Sequence, residues 1–292
     1  MMLTLILALA AFLPLDSIAA GNEGKDWMAK IDDGTEISRL SIPGSHDSGA
    51  LHSIADVSGK CQTLTVGAQL DIGVRFLDIR LRLVEDGLKV VHSFVDQRLD
   101  FSDVLYDIEE FLAENESEFI ILSIKEDDEA KDSAVSFEDA VKEALKSVEN
   151  AVNFDTSLPK TVGEARGRIH ILSRFDADFG IPAYYGWEDD ATFTLGDFLI
   201  QDNYCITDVS EKISDIKSTA EAAENGGYGL VLNFTSCYLD GAFPPTYSGT
   251  AARKINPEIL DFIEEGSGTL GIVISDYVNE KLVRAIYERS YE

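Results

Sequence analysis

Leu40-Ser41-Ile42-Pro43-Gly44-Ser45-His46-Asp47-Ser48-Gly49-Ala50 is the stretch on which the reading of this chain turns. A short apolar run ends at Pro43-Gly44, and a histidine with an adjacent aspartate follows at once. A strand delivers reactive side chains to a loop at its carboxyl end in this way. Histidine is scarce: the chain has four, His46, His52, His92 and His170, so a mechanism that needs two imidazoles has few ways to find them.

Outward from that stretch, eight short β-rich runs are separated by helical patterns: Ile37–Ile42, Val74–Arg80, Leu88–His92, Phe119–Lys125, Arg168–Ser173, Phe198–Asp202, Tyr228–Phe234 and Leu270–Ser275. Amphipathic stretches of helical length lie at 101–113, 136–148, 211–224, 257–264 and 279–289, whereas the crossovers after the first, second and fifth runs are short or irregular. Strands alternating with helices imply a parallel sheet closed on itself, so the expected fold is α/β, an irregular (β/α)8 TIM barrel. A doubly wound open sheet is the competing architecture, and its Gly-rich phosphate fingerprint is missing. No repeat, low-complexity segment or linker divides residues 21–292, which are therefore read as a single domain. Residues 1–20 read as a signal peptide of a secreted protein: Leu3 to Leu13 are apolar but too short to span a bilayer, and Ser17-Ile18-Ala19-Ala20 supplies small residues for cleavage.

Asp and Glu number 53 against 24 Lys and Arg, a formal charge of −29. Such a surface repels nucleic acid and gains nothing electrostatically from anionic lipid. Three cysteines, Cys61, Cys205 and Cys237, are too few for a disulfide scaffold, and no C-x-x-C spacing indicates zinc. Cys205 and Cys237 follow neighbouring strands and are expected to pair, which leaves Cys61 odd.

Polar residues fall at the carboxyl ends of those strands, where barrel enzymes build their sites. His46 and Asp47 follow the first, and Asp78 and Arg80 share a face of the second by their i, i+2 spacing. His92, Lys125, Arg174, Asp202 with Tyr204, and Asp276 close or follow others. His52 in a loop and His170 in mid-strand read as structural. Two imidazoles, a guanidinium and carboxylates around one mouth suit transfer at a phosphodiester: one histidine as base, the other as acid, the arginine on the phosphate. This chemistry asks for no metal and no other cofactor.

The stretch Ile42-Pro43-Gly44-Ser45-His46-Asp47-Ser48-Gly49 resembles the bacterial-type phosphatidylinositol-specific phospholipases C. So do Leu77-Asp78-Ile79-Arg80, Ala165-Arg166-Gly167-Arg168, Gln201-Asp202-Asn203-Tyr204, Asn233-Phe234-Thr235-Ser236, Ile255-Asn256-Pro257-Glu258-Ile259 and Ser275-Asp276-Tyr277-Val278-Asn279. The resemblance implies an irregular barrel in which the inositol 2-hydroxyl attacks its own phosphate, releasing diacylglycerol and a cyclic inositol phosphate. It implies His46 as general base oriented by Asp276, His92 as general acid assisted by Asp47, and Arg80, supported by Asp78, on the phosphate. Lys125, Arg174, Asp202 and Tyr204 would grip the inositol, with Asp127 where the family has a glutamate. An arginine at position 80 resembles the metal-independent arrangement rather than the calcium-dependent one. The family tends to flank its general acid with a second histidine and a glycine, and here Val91 and Ser93 stand there.

The expected partner is a membrane carrying phosphatidylinositol or glycosylated phosphatidylinositol anchors, approached by a monomer. Since the acidic surface cannot dock on anionic lipid, aromatic rim residues Tyr184, Tyr185, Trp187 and Phe243, beside Pro244-Pro245, are expected to make that contact. The rival readings are a catalytically silent inositol-phosphate or glycan-binding barrel, a glycosidase using inward carboxylates, and a metal-dependent phosphodiesterase.

Overall fold

The computed structural model describes residues 23–53, 59–240 and 248–292. The signal-peptide segment 1–20 and the rim residue Phe243 lie outside the described residues. The strands are β1 Ser41–Ser45, β2 Phe76–Val84, β3 Gly87–His92, β4 Val95–Asp100, β5 Ile120–Glu126, β6 Val152–Asn153, β7 Ile169–Arg174, β8 Ile181–Pro182, β9 Thr192–Leu195, β10 Phe198–Gln201, β11 Cys205–Ile206, β12 Leu230–Phe234, β13 Tyr238–Leu239 and β14 Gly271–Ser275. The helices are α1 Val66–Asp71, α2 Phe101–Glu114, α3 Phe137–Leu145, α4 Val162–Ala165, α5 Val209–Asn225, α6 Ser248–Glu265 and α7 Glu280–Glu288.

One curled sheet runs β7-β5-β2-β1-β14-β12-β10, every neighbouring pair parallel, as in a TIM barrel. The two-residue β8 adds a parallel partner to β7, and β9 folds back antiparallel on β10. Among the described residues no strand pairing joins β8 to β9 or β10, so the ring is open on that side. The strands β1, β12 and β14 are buried at every position and β5 at its first five, because both their faces are covered. The inner face and the helices share one large core that includes Ile42, Phe76, Leu122, Ile171, Leu232 and Ile274.

Two expected strands are corrected. Ile37–Arg39 is a 3-10 turn closed by the Leu40 N–H on Ile37 O (3.0 Å), and the strand begins at Ser41 and runs to Ser45. Within it, Gly44 is required by the close approach of its neighbours, since a Cβ there would stand 2.9 Å from Ile274 Cγ1 and 3.2 Å from Phe76. Leu88–His92 is not a barrel strand. It is the middle of an antiparallel excursion, β2–β3–β4, that grows from the extended end of β2. Val84 pairs with Gly87, so Glu85 and Asp86 form a two-residue turn with φ of 50° and 62°, the left-handed pair that a tight hairpin demands. The second turn, Ser93-Phe94, puts Ser93 at φ 51°, where a glycine would sit without strain.

Cys205 and Cys237 are both free thiols, correcting the expected disulfide. Register explains it: β11 and β13 align Cys205 with Tyr238, so Cys237 is one position out of step. No helix among the described residues is long and apolar enough to cross a membrane.

Candidate active site

Strand register assembles the site. Ser45 of β1 pairs with Ser275 of β14, so the next residues on each, His46 and Asp276, leave the sheet side by side. His46 Nδ1–H donates to Asp276 Oδ1 at 2.8 Å, and the His46 N–H donates to Ser275 O. Gln62 locks both turns, its amide nitrogen donating to His46 O and Ser275 O. On the other flank, Arg80, Lys125 and Arg174 occupy one cross-strand row through β2, β5 and β7, which aligns three cations along the mouth.

The carboxylates answer that row. Asp78, fully buried, takes Arg80 Nε and Nη2 on Oδ2 at 3.2 and 3.1 Å and faces Arg174 Nη1 with Oδ1 at 3.4 Å. Burial pushes its pKa up, but Arg80 and Arg174 outweigh that and hold the carboxyl well below the usual range. Asp127 accepts from Lys125 Nζ (2.7 Å) on Oδ1 and from the Ser93 N–H (2.8 Å) on Oδ2, and so ties the hairpin turn that carries His92 to the barrel. Against the effect of burial, Arg80 and Lys125 lower its pKa to about 2. Burial and the neighbouring Arg80 lower the pKa of Lys125.

Arg80 Nη2 also donates to His46 Nε2 at 2.8 Å. A donor there requires Nε2 to hold a lone pair, so the proton sits on Nδ1 toward Asp276 and Nε2 faces the cavity as a base. Burial disfavours the charged imidazole, yet Asp276 raises the pKa of His46 above the ordinary value despite Arg80. Across the mouth, Asp47 has φ 44°, a left-handed turn that leaves its Oδ2 3.7 Å from His46 Nε2 and its Oδ1 3.4 Å from Arg80 Nε. Its Oδ2 stands 3.4 Å from His92 Nε2 and is buried without a hydrogen-bond partner. Burial raises the Asp47 pKa in spite of Arg80 and both histidines. His46 is thus held on Nδ1 by Asp276, whereas Asp47 Oδ2 stands between the two imidazoles, somewhat nearer to His92.

His46, Arg80, His92, Lys125, Asp127, Arg174 and Asp276 line a cavity of about 650 Å³ together with Cys61, Trp187, Asp202, Tyr204 and Tyr238, with Asp47 and Asp78 buried behind them. Tyr204 O–H donates to Asp189 Oδ1 (2.6 Å), which raises its pKa and leaves the ring at the cavity wall. His170, outside the cavity, bonds Ala165 O, a structural role.

The aromatic rim is corrected. Trp187 belongs to the site: its ring lies 3.7 Å under the Arg174 guanidinium and its Nε1–H donates to Asp202 Oδ2 at 3.2 Å. Tyr185 lines a separate groove on the open side of the barrel with Ile181, Leu195 and Phe198, and Tyr184 stacks edgewise on it at 4.9 Å. Exposed aromatics nearer the catalytic groups are Phe94, 73 % exposed in the turn after His92, and Tyr238 on the cavity wall. Sequence reasoning missed Phe94 and Tyr238. The adjacency of Phe94 to His92 was the available signal.

Comparisons with known proteins agree with this geometry. Residues 37–174 match the family described as phosphatidylinositol-specific phospholipase C, X domain. The 1-phosphatidylinositol phosphodiesterase of Staphylococcus aureus (strain Newman) is 30% identical, over 90% of this chain and 90% of its own length. The enzyme of that name from Listeria monocytogenes is 27% identical over 91% of this chain and 85% of its own. A solved Staphylococcus aureus phosphatidylinositol-specific phospholipase C superposes with a TM-score of 0.81 at 26% identity, covering 92% of this chain and 98% of that one. With an aligned relative across nearly its whole length and a barrel of the same form, this chain belongs to the phosphatidylinositol-specific phospholipase C X-domain family.

Proposed function

We propose that the chain cleaves the glycerol–phosphate bond of phosphatidylinositol, with the inositol 2-hydroxyl as nucleophile. The observation that carries this is the placement of His46 between Asp276 and Arg80, each at 2.8 Å, opposite the His92–Asp47 pair. A phosphate entering the cavity takes the Arg80 guanidinium from His46 Nε2 and frees that nitrogen to accept the 2-hydroxyl proton. The hydroxyl oxygen attacks phosphorus, and Arg80 neutralises the charge building on the phosphoryl oxygens. His92 gives its proton to the departing glycerol oxygen, with Asp47 stabilising the charged imidazole. Because the nucleophile belongs to the substrate, orientation replaces a bimolecular encounter, worth an effective molarity of about 10⁵ M or more. Lys125, Arg174, Asp202 and Tyr204 hold the inositol hydroxyls, and Asp78 fixes Arg80.

The substrate lies in a membrane, and the same cleavage extends to glycosylated phosphatidylinositol anchors. A chain of charge −29 meets that surface through Phe94 and neighbouring aromatics rather than through basic groups. The protein acts as a secreted enzyme, a reading that rests on the apolar stretch within residues 1–20. The test is diacylglycerol release from phosphatidylinositol vesicles in the presence of a chelator. His46→Ala and His92→Ala should each abolish it, and release that survives both substitutions would refute the assignment.

A further inference from the structure

Two thiols that line the cavity, Cys61 and Cys237, have no part in the proposed reaction, and Cys61 is the one beside the histidine–aspartate pair. Cys61 is held by two backbone bonds, its N–H on Ala50 O (2.9 Å) and its carbonyl accepting from the Tyr277 N–H (2.8 Å). These fix its thiol between the turn after β1 and the turn after β14. The side chain is 1 % exposed and lines the cavity with both histidines. Its Sγ, a carboxylate oxygen of Asp47 and a ring nitrogen of His92 all lie within 4.8 Å of one another. Asp47 Oδ2 is buried there with no hydrogen-bond partner, although buried carboxylate oxygens are normally satisfied.

A thiol, an imidazole and a carboxylate converging from three segments form a three-ligand donor set for a thiophilic divalent cation. Zinc–ligand bonds of about 2.0–2.3 Å put ligand atoms roughly 3.5 Å apart; His92 Nε2 and Asp47 Oδ2 already stand at 3.4 Å, and no pair in the set is wider than 4.8 Å. A second set, His46, Cys61 and Asp276, shares the thiol. Both ring nitrogens of His46 are already engaged there, Nδ1 by Asp276 and Nε2 by Arg80. Calcium and magnesium prefer all-oxygen sites and would not compete.

We propose that Asp47, Cys61 and His92 form an inhibitory site for a thiophilic divalent cation such as zinc. On binding, the Cys61 thiol gives its proton to solvent and the thiolate, His92 and Asp47 enclose the ion. Resting on the acid role proposed for His92 and Asp47, the consequence is loss of leaving-group protonation, so the enzyme needs no metal but is shut off by one.

The test uses the full protein freed of metal by chelator and then dialysed. Cobalt(II) is the spectroscopic probe, zinc the competitor, and diacylglycerol release is followed in parallel. The expected result is a thiolate-to-cobalt charge-transfer band that one equivalent of zinc displaces. Activity should be lost over the same titration and restored by chelator, with magnesium inert. Cys61→Ser should keep its activity in chelator, lose the band and need at least tenfold more zinc for inhibition. Absence of the band from the parent protein overturns the site whatever the variant does, as does zinc inhibition unchanged in Cys61→Ser. A chain that shows the band but never cleaves phosphatidylinositol instead refutes the functional reading and leaves the metal site standing.

Discussion

Replacing Asp276 by asparagine removes one charge from the site while keeping the shape of the side chain. In the resting site His46 is neutral, with Nδ1–H on Asp276 Oδ1 at 2.8 Å and Asp276 only 2 % exposed. As the 2-hydroxyl proton arrives on Nε2 the imidazole becomes a cation, and only then does the carboxylate interact with a full charge. Charge centres about 4 Å apart at an effective dielectric of 20 attract by about 4 kcal/mol. At about 1.4 kcal/mol per decade, losing that attraction in the transition state alone lowers kcat by up to about 10³. The asparagine amide can also donate to Nδ1 and turn the ring into the wrong tautomer, which acts in the same direction. The pH dependence gives an independent check. Asp276 raises the His46 pKa, and the base must be neutral, so activity in the parent falls as pH drops through that raised value. In Asp276→Asn the acid limb moves to lower pH. Initial rates of diacylglycerol release between pH 5 and 8 measure both effects. A kcat within tenfold of the parent, or an acid limb moved to higher pH, would refute the reasoning.

Arg80→Lys keeps the charge but loses the fork that spans Asp78 and the phosphate, and kcat should fall by about 10²–10³ in the same assay. Trp187→Ala takes away the ring 3.7 Å from the Arg174 guanidinium, and because that grip acts before and during the reaction, KM should rise by about tenfold with kcat little changed. Glu118→Ala leaves Arg75 buried without its 2.8 Å partner. Urea unfolding should show a loss of about 3 kcal/mol, the low end for a broken buried pair because Arg75 also donates to four carbonyls. Asp127 has a folded pKa of about 2 against about 3.9 unfolded, so its contribution is complete above pH 4 and should be lost as pH falls toward 2; Asp127→Asn should flatten the stability–pH curve in that window.

The parallel core of the barrel was legible in the sequence because β5, β12 and β14 are short, mostly apolar runs with polar residues at or just past their carboxyl ends. The i, i+2 spacing of Asp78 and Arg80 likewise showed that both share a face. The β2–β3–β4 excursion was not legible as such. A period-2 pattern is the same for a barrel strand and a hairpin arm, and the turn between β2 and β3 uses Glu85-Asp86 at left-handed φ rather than the Asn-Gly that would have announced it. His92 was found for its chemistry although its strand was misplaced. It reaches Asp47 only because the hairpin folds over the mouth. Trp187 was hidden for a different reason: its contact with Arg174 joins a loop to a strand end, and no local periodicity encodes that meeting. Cys205 and Cys237 lie near each other in the order of strands, but their exact register is a tertiary fact.

The phosphorus NMR time course of the purified chain acting on phosphatidylinositol vesicles in chelator tests the central claim most directly. An internal 2-hydroxyl nucleophile predicts that the resonance of a cyclic inositol phosphodiester appears first, with inositol monophosphate following only later. A monophosphate that forms from the start with no cyclic precursor, or turnover that begins only when a divalent cation is added, would contradict the account.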